Sequence, residues 1–427
     1  MASLDLMLWI AAGILLQVAA YLLIGFWHHW QAYQALRNVV AELDLATADG
    51  AAPELAKTAA WRGYRAFRVK DIRLEDQACQ VCSFTLVPED GTPLPPFLPG
   101  QFLTFQLEAP DAVGGIQSVI RCYSLSDAPQ PDSYRISVKR ALAPVGSNLA
   151  AGISSNYLHD QVEVGSRLQV RAPAGHFHID HSDAPVVLIG GGIGITPLMS
   201  MLSWSLAVQP GRELWLFYGV RNRAELVLQG QMQALAAQHP GFHLHLCLSD
   251  PQADDLDVLR VGTVHLHHGR VDIALLRRLL PLKPYHFYIC GPTPMLQSLV
   301  PALEEWGVPS GRIYFEAFGP ASIPRKNPAA AASDRSRPGD KPDAVMVTFA
   351  KSGKQASWEP GMGSLLDLAE SHGIEVQSGC RAGGCGTCQT SISSGEVAYT
   401  QAPDFDPEPG SCLLCVCIPK AAVTLEA

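Results

Sequence analysis

Basic residues are scarce in this chain. Of its 427 residues, 31 are Lys or Arg against 40 Asp or Glu, a formal net charge of −9. Nucleic-acid recognition needs a basic surface, so this balance argues against it. Charge of either sign is thin at 17% of residues, while 48% are apolar, which describes a mainly globular protein. Cysteine is also too sparse for a disulfide scaffold, with eleven in the whole chain and six of those in the last fifty residues. Thiols bunched in this way read as a metal site in a reducing compartment. No internal repeat is visible, and no array of nucleophile, base and orienting group stands out. A chain this long exceeds one hydrophobic core and implies two to four domains.

Long hydrophobic runs are equally rare. The exception is Leu6 to Trp27, LMLWIAAGILLQVAAYLLIGFW, which carries no charge and only Gln17 as a strongly polar residue. At about 1.5 Å of rise per residue it can cross a hydrocarbon core of about 30 Å, so a single transmembrane anchor is expected over residues 1–30. A cleaved signal peptide fits less well, because Asp5 is the one charge before the run and no small-residue cleavage site closes it. Arg37, Arg62, Arg65, Arg68 and Lys70 follow the run. They place the soluble bulk on the cytoplasmic side of an inner membrane.

Composition divides the remainder. Residues 31–60 read as a membrane-proximal helix and an alanine-rich spacer. Residues 61–182 are short apolar runs broken by Pro, Gly and Asp, the pattern of antiparallel strands. Residues 183–319 alternate apolar runs such as VVLIG and ELWLFYG with helix-length segments, which implies a parallel sheet with crossover helices. Residues 320–342, PASIPRKNPAAAASDRSRPGDKP, lack apolar periodicity and read as a linker. Residues 343–427 form a last domain with ten acids against four bases, a composition that suits a basic protein partner or mere solubility.

That domain holds QSGCRAGGCGTCQT. Cys380, Cys385 and Cys388 have C-x4-C-x2-C spacing, and Cys415 in SCLLCVC is the natural fourth thiolate of a 2Fe-2S cluster, with Cys412 and Cys417 as alternatives. A zinc site would favour paired C-x2-C knuckles. The surrounding glycines let the backbone wrap closely and point N–H groups at sulfur. The domain resembles plant-type ferredoxins, an α+β, β-grasp fold. The resemblance implies that Cys380 and Cys385 hold one iron and that Cys388 and Cys415 hold the other. Such a cluster carries one electron at a time, so a two-electron donor needs a converter upstream.

RCYSLS, Arg121 to Ser126, resembles the R-x-Y-S signature of the ferredoxin-NADP reductase superfamily, whose FAD domain is an antiparallel β-barrel. LPGQFLTF precedes it. GISSNYLHD follows, and resembles the flavohaemoglobin-reductase branch. The resemblance implies that Arg121, Tyr123, Ser124, Val138 and Lys139 meet the flavin, and that Gly152, Ser155 and Asn156 cradle its pyrophosphate. VVLIGGGIGITPLMS is a strand, glycine turn and helix suited to a pyrophosphate, and matches the superfamily's nicotinamide motif through Gly191, Gly192, Gly194 and Thr196. YICGPTPML and YFEAFG imply nicotinamide contacts at Gly291 and Pro292, Cys290 beside the reacting carbon, and Glu316 and Phe318 near the flavin. Ser124, Cys290 and Glu316 are the candidate catalytic groups.

Arg221 and Arg223 follow the second strand of the nicotinamide block, where a cation can meet the 2′-phosphate of NADP. Similar arginines occur in NADH-using relatives, and NADH is weakly favoured. CQVC, Cys79 to Cys82, reads as a structural pair within a strand, and the histidines of HLHHG as strand residues.

These readings combine into one expectation: a membrane-anchored reductase using NAD(P)H, FAD and a 2Fe-2S cluster. It would deliver electrons to a protein acceptor, such as a membrane oxygenase, desaturase, cytochrome or hybrid-cluster-like protein. NADH-quinone reduction and a non-catalytic 2Fe-2S redox sensor are the alternatives.

Overall fold

The computed structural model describes residues 61, 63–110, 115–143, 150–253, 255, 264–318, 344–381, 383–400, 403 and 405–427. The expected anchor and spacer (1–60) and the expected linker (320–342) lie outside the described residues. Among the described residues, no helix is long and apolar enough to cross a membrane.

Six strands form the first sheet: β1 (Arg65–Leu74), β2 (Val81–Pro88), β3 (Phe102–Pro110), β4 (Ile116–Ser124), β5 (Tyr134–Lys139) and β6 (Arg167–Val170). Their order is β4-β3-β6-β1-β2-β5, with every pairing antiparallel. The sheet curls until its edges meet, where Leu125 bridges Ile136 and the Ser126 N–H donates to Arg135 O at 2.9 Å. Alternation drives the curl: Phe67, Phe84, Phe105 and Tyr134 point inward and are almost wholly buried. Helix α1 (Ile153–Asp160) leads into β6. Cys79 is not within a strand as expected. It occupies a left-handed turn at φ 53° before β2, because the Asp76 carboxylate accepts the N–H groups of Gln80 and Val81 there.

The second sheet is parallel. It comprises β7 (Val186–Gly191), β8 (Leu214–Val220), β9 (Phe242–Leu248), β10 (Val264–His268), β11 (His286–Gly291) and β12 (Ile313–Ala317), ordered β10-β9-β8-β7-β11-β12. Both faces are covered by helices such as α2 (Ile195–Val208), α3 (Gln229–Gln238), α4 (Ile273–Leu279) and α5 (Thr293–Glu305). This explains why β7 is buried at every position. Strand order reverses between β7 and β11. Ligands of open α/β sheets bind at the carboxyl ends beside such a reversal.

The last sheet is mixed. Strands β13 (Val345–Phe349), β14 (Lys354–Trp358), β15 (Gln389–Ser394), β17 (Ser411–Leu413) and β19 (Val423–Leu425) run β14-β13-β19-β15-β17, and β16 (Val397–Tyr399) pairs with β18 (Cys417–Pro419). Helix α6 (Leu365–Ser371) starts at a capping box: Ser364 Oγ accepts the Asp367 N–H, and the Asp367 carboxylate accepts the Ser364 N–H. Its buried Leu365, Leu366, Leu368 and Ala369 join Val347, Phe349 and Leu425 in one core.

Candidate functional site: two redox centres joined by one strand

The carboxyl ends of β7, β11 and β12 gather the first group of candidates. Parallel register sets Cys290 beside Gly190 on one side and Glu316 on the other. Gly192 turns the chain at φ +52° into the short 3-10 segment Gly192–Gly194. A Cβ on Gly194 would stand 2.2 Å from the Cys290 carbonyl oxygen, and one on Gly291 would stand 3.0 Å from the Gly191 Cα. The close approach of these two turns therefore requires glycine. Thr196 is buried at the start of α2 and donates its hydroxyl to Ile193 O at 3.0 Å.

Burial dominates the electrostatics. It raises the Glu316 carboxyl to about 8, with the Ser124 hydroxyl holding the shift in check. Burial first, and then the Glu316 charge, push the Cys290 thiol well above its usual range. Glu316 Oε2 is buried and makes no hydrogen bond. An orphaned acceptor costs free energy unless a ligand meets it. The structure thus unites Ser124, Cys290 and Glu316, and the ends of their strands fit a flavin and a nicotinamide.

A second cradle lies at α1. Its N-terminus has no capping side chain. Asn156 Nδ2 donates to Gly152 O at 2.7 Å and to Ala141 O at 3.0 Å, and Ser155 Oγ accepts the Ala141 N–H at 3.1 Å. A Cβ on Gly152 would lie 2.7 Å from that of Ala141, so the turn fits only glycine without adjustment. Uncapped helix N–H groups and the nearby Arg140 suit a pyrophosphate.

A cleft of about 400 Å³ links the first two domains and is lined by Lys139, Arg140, Gly192, Ile193, Arg221 and Glu225, among others. Three candidates meet there: Lys139, Gly192 and Arg221. Arg221 is committed to Glu225, with Nε donating to Oε1 at 2.7 Å. Other candidates stand apart. Val138 has its side chain in the barrel core. Phe318 is exposed at the end of the described segment. The Arg121 guanidinium is exposed and donates to Ile120 O.

The cysteine loop is built by its backbone. Gly384 and Cys385 N–H groups donate to Cys380 Sγ at 3.2 and 3.3 Å, and the Cys380 N–H donates to Cys385 Sγ at 3.3 Å. The Thr387 hydroxyl adds a fourth donor, to Cys385 Sγ at 3.1 Å. Arg381, at φ 54°, ties the loop to α6 through the Glu370 carboxylate. A hydrogen bond from Cys415 lowers the Cys388 thiol and raises that of Cys415. Cys412 and Cys417 are free thiols buried in the core. The Cys380 and Cys385 pair, with its N–H donors, and the Cys388 and Cys415 pair fit a cluster of two irons, with Cys415 rather than Cys412 or Cys417 facing Cys388.

Sequence reasoning missed the seat of this loop. Cys122 of β4, between the expected flavin contacts Arg121 and Tyr123, brings its sulfur within 4.8 Å of those of Cys380 and Cys385. Arg171, just past β6, donates to Cys385 O at 3.2 Å and lies 4.7 Å from the Tyr64 ring and 4.9 Å from the Phe405 ring. A Cβ on Gly384 would lie 3.0 Å from the Phe102 ring, so the cluster loop rests directly on the barrel. The one available signal was Cys122 itself, a cysteine at the open position of a flavin motif.

Two redox centres built this way define a flavin and iron-sulfur oxidoreductase. Residues 188–300 match the oxidoreductase NAD-binding domain family, and residues 347–420 match the 2Fe-2S iron-sulfur cluster binding domain family. A flavohemoprotein of Rhizobium meliloti is 34% identical over 291 residues, covering 68% of each chain. The flavohem-like FAD/NAD binding domain of nitric oxide dioxygenase from Vibrio cholerae is similar over all of that chain and 61% of this one, at 34% identity and TM-score 0.52. An intact type IV self-sufficient cytochrome P450 monooxygenase shares the fold over 85% of this chain and 41% of its own, at 22% identity and TM-score 0.52. The chain spans about three fifths to two thirds of the length of the flavohemoproteins it matches. It belongs to the ferredoxin-reductase-like family of FAD/NAD-binding oxidoreductases, with an added 2Fe-2S domain. Its cofactors are FAD, NAD(P)H and a 2Fe-2S cluster.

Proposed function

We propose that the chain is a membrane-anchored NAD(P)H-dependent reductase that passes electrons through its cluster to a protein acceptor at the bilayer. The observation that carries this reading is β4, whose R-C-Y-S segment supplies the flavin motif and also touches the cluster cysteines. When bound, FAD supplies the exchange of a two-electron donor for single electrons, and the cluster supplies a one-electron relay.

In this reading Arg121, Lys139 and the turn at Gly152, Ser155 and Asn156 bind the flavin's phosphates, while Tyr123 covers its ring. The turns at Gly191–Gly194 and Gly291–Pro292 bind the dinucleotide. Buried Cys290 and Ser124 exclude water where the two rings meet. Glu316, neutral below about pH 8, offers a proton at its carboxyl or accepts a hydrogen bond at Oε2. The tie between Arg221 and Glu225 leaves that guanidinium engaged, which supports NADH over NADPH. The uncharged run from Leu6 to Trp27 supports an inner-membrane anchor with the catalytic domains in the cytoplasm.

The test is anaerobic addition of NADH or NADPH to the purified full chain in lipid vesicles, followed by flavin absorption and cluster EPR. Bleaching of the flavin followed by a reduced-cluster signal is the expected result. A flavin that stays oxidised overturns the enzyme reading and leaves the redox sensor. Rapid turnover with quinone alone overturns the protein acceptor. A chain that partitions into the aqueous phase without detergent overturns the anchor.

A further inference from the structure

Cys122 occupies the position that R-x-Y-S leaves open, so flavin binding makes no demand on its side chain. Its sulfur nevertheless lies within 4.8 Å of both Cys380 Sγ and Cys385 Sγ, in a different domain. Thr104, opposite Cys122 in the β3–β4 register and itself buried, places its hydroxyl 3.4 Å from Cys122 Sγ. Arg171, whose N–H donates to Thr104 O at 2.8 Å, fixes Cys385 from the same side. The thiol is therefore held at a built contact between barrel and cluster loop.

We propose that Cys122 is a positioning residue for the cluster: its one S–H donates a hydrogen bond into the Cys380 and Cys385 thiolate pair and raises the cluster's reduction potential. The physical reason is charge. A cluster held by four thiolates gains negative charge on reduction, and each donor aimed at a ligand sulfur stabilises the reduced form more than the oxidised one. The four donors from Gly384, Cys385, Cys380 and Thr387 all belong to the ferredoxin domain itself. Cys122 is a donor supplied by the flavin domain. It thereby makes the potential depend on docking: the cluster accepts electrons most readily when seated against the strand that carries the flavin motif. Thr104 Oγ1, 3.4 Å from Cys122 Sγ, is placed to donate its hydroxyl proton to that sulfur, an arrangement that frees the S–H for the cluster.

This inference rests on the assignment of the cluster to Cys380, Cys385, Cys388 and Cys415. The experiment is an EPR-monitored redox titration of the full chain as Cys122→Ala and Cys122→Ser. The expected result is a cluster present in both, with a lower potential in Cys122→Ala. Its one-electron equilibrium should move about tenfold, equivalent to about 59 mV. Cys122→Ser keeps a donor and should restore most of the difference. An unshifted potential in a cluster-containing Cys122→Ala chain overturns the inference and leaves the assignment intact. Equal shifts in Ala and Ser variants also overturn it, since the effect is then one of packing. Cluster loss in both variants, with retention in Cys415→Ser, makes Cys122 a ligand and overturns inference and assignment together. A wild-type chain without cluster absorption overturns the assignment alone.

Discussion

Glu316 shows how much one carboxyl can reveal. Its folded value of about 8 lies above the ordinary 4.5, so between those values the folded chain keeps a proton that the unfolded chain has released. The stabilisation is fully present below about pH 4.5 and is lost as pH rises through about 8. Glu316→Gln keeps the neutral form at every pH. Its melting temperature should match wild type near pH 5 and exceed it near pH 9, and thermal denaturation across that range checks this. A constant difference across pH would mean that the carboxyl titrates normally. The identity of this residue was legible from its place in YFEAFG. Its orphaned oxygen was not, because hydrogen bonding depends on what β11 and Ser124 of β4 bring against it.

At the scale of elements, the edge pair β9 and β10 carries an unforeseen histidine stack. His245 is buried with its Nδ1 2.9 Å from His267 Nε2, and its ring lies 4.7 Å from those of Phe217 and His265. Burial, and then the neighbouring His265, His267 and His243, depress its value to about 3. Arg278 adds to the positive surroundings of His267. For a depressed histidine, stability is whole above about 6.5 and declines as pH falls toward about 3. At about 1.36 kcal/mol per unit, the loss by pH 5 is about 2 kcal/mol. His245→Phe, which retains the stack, should remove most of that acid-side loss in urea titrations at pH 7 and pH 5. The alternating HLHL and HLHH runs announced two strands. They did not announce that the strands are neighbours in register, His245 against His265, which depends on sheet order.

For the whole molecule, the flavin and nicotinamide motifs and the cysteine spacing were legible because each is local: glycine turns, a strand end, a C-x4-C-x2-C loop. The docking of the last domain was not, because no local pattern says which face of a barrel another domain will meet. Arg171 is the residue to probe. Arg171→Ala removes the hydrogen bond to Cys385 O and both ring contacts. In stopped-flow experiments it should slow cluster reduction about tenfold, while flavin bleaching by NADH continues at the carboxyl ends of β7 and β11. Unchanged cluster reduction would mean that the seat does not serve electron transfer.

The Arg171 to Cys385 contact also spans 214 positions of chain. Most of that span is the folded parallel sheet and its helices, so the two ends meet as parts of units that are already folded. Their meeting is a docking step between domains, and a change at the seat such as Arg171→Ala should weaken it without unfolding either one.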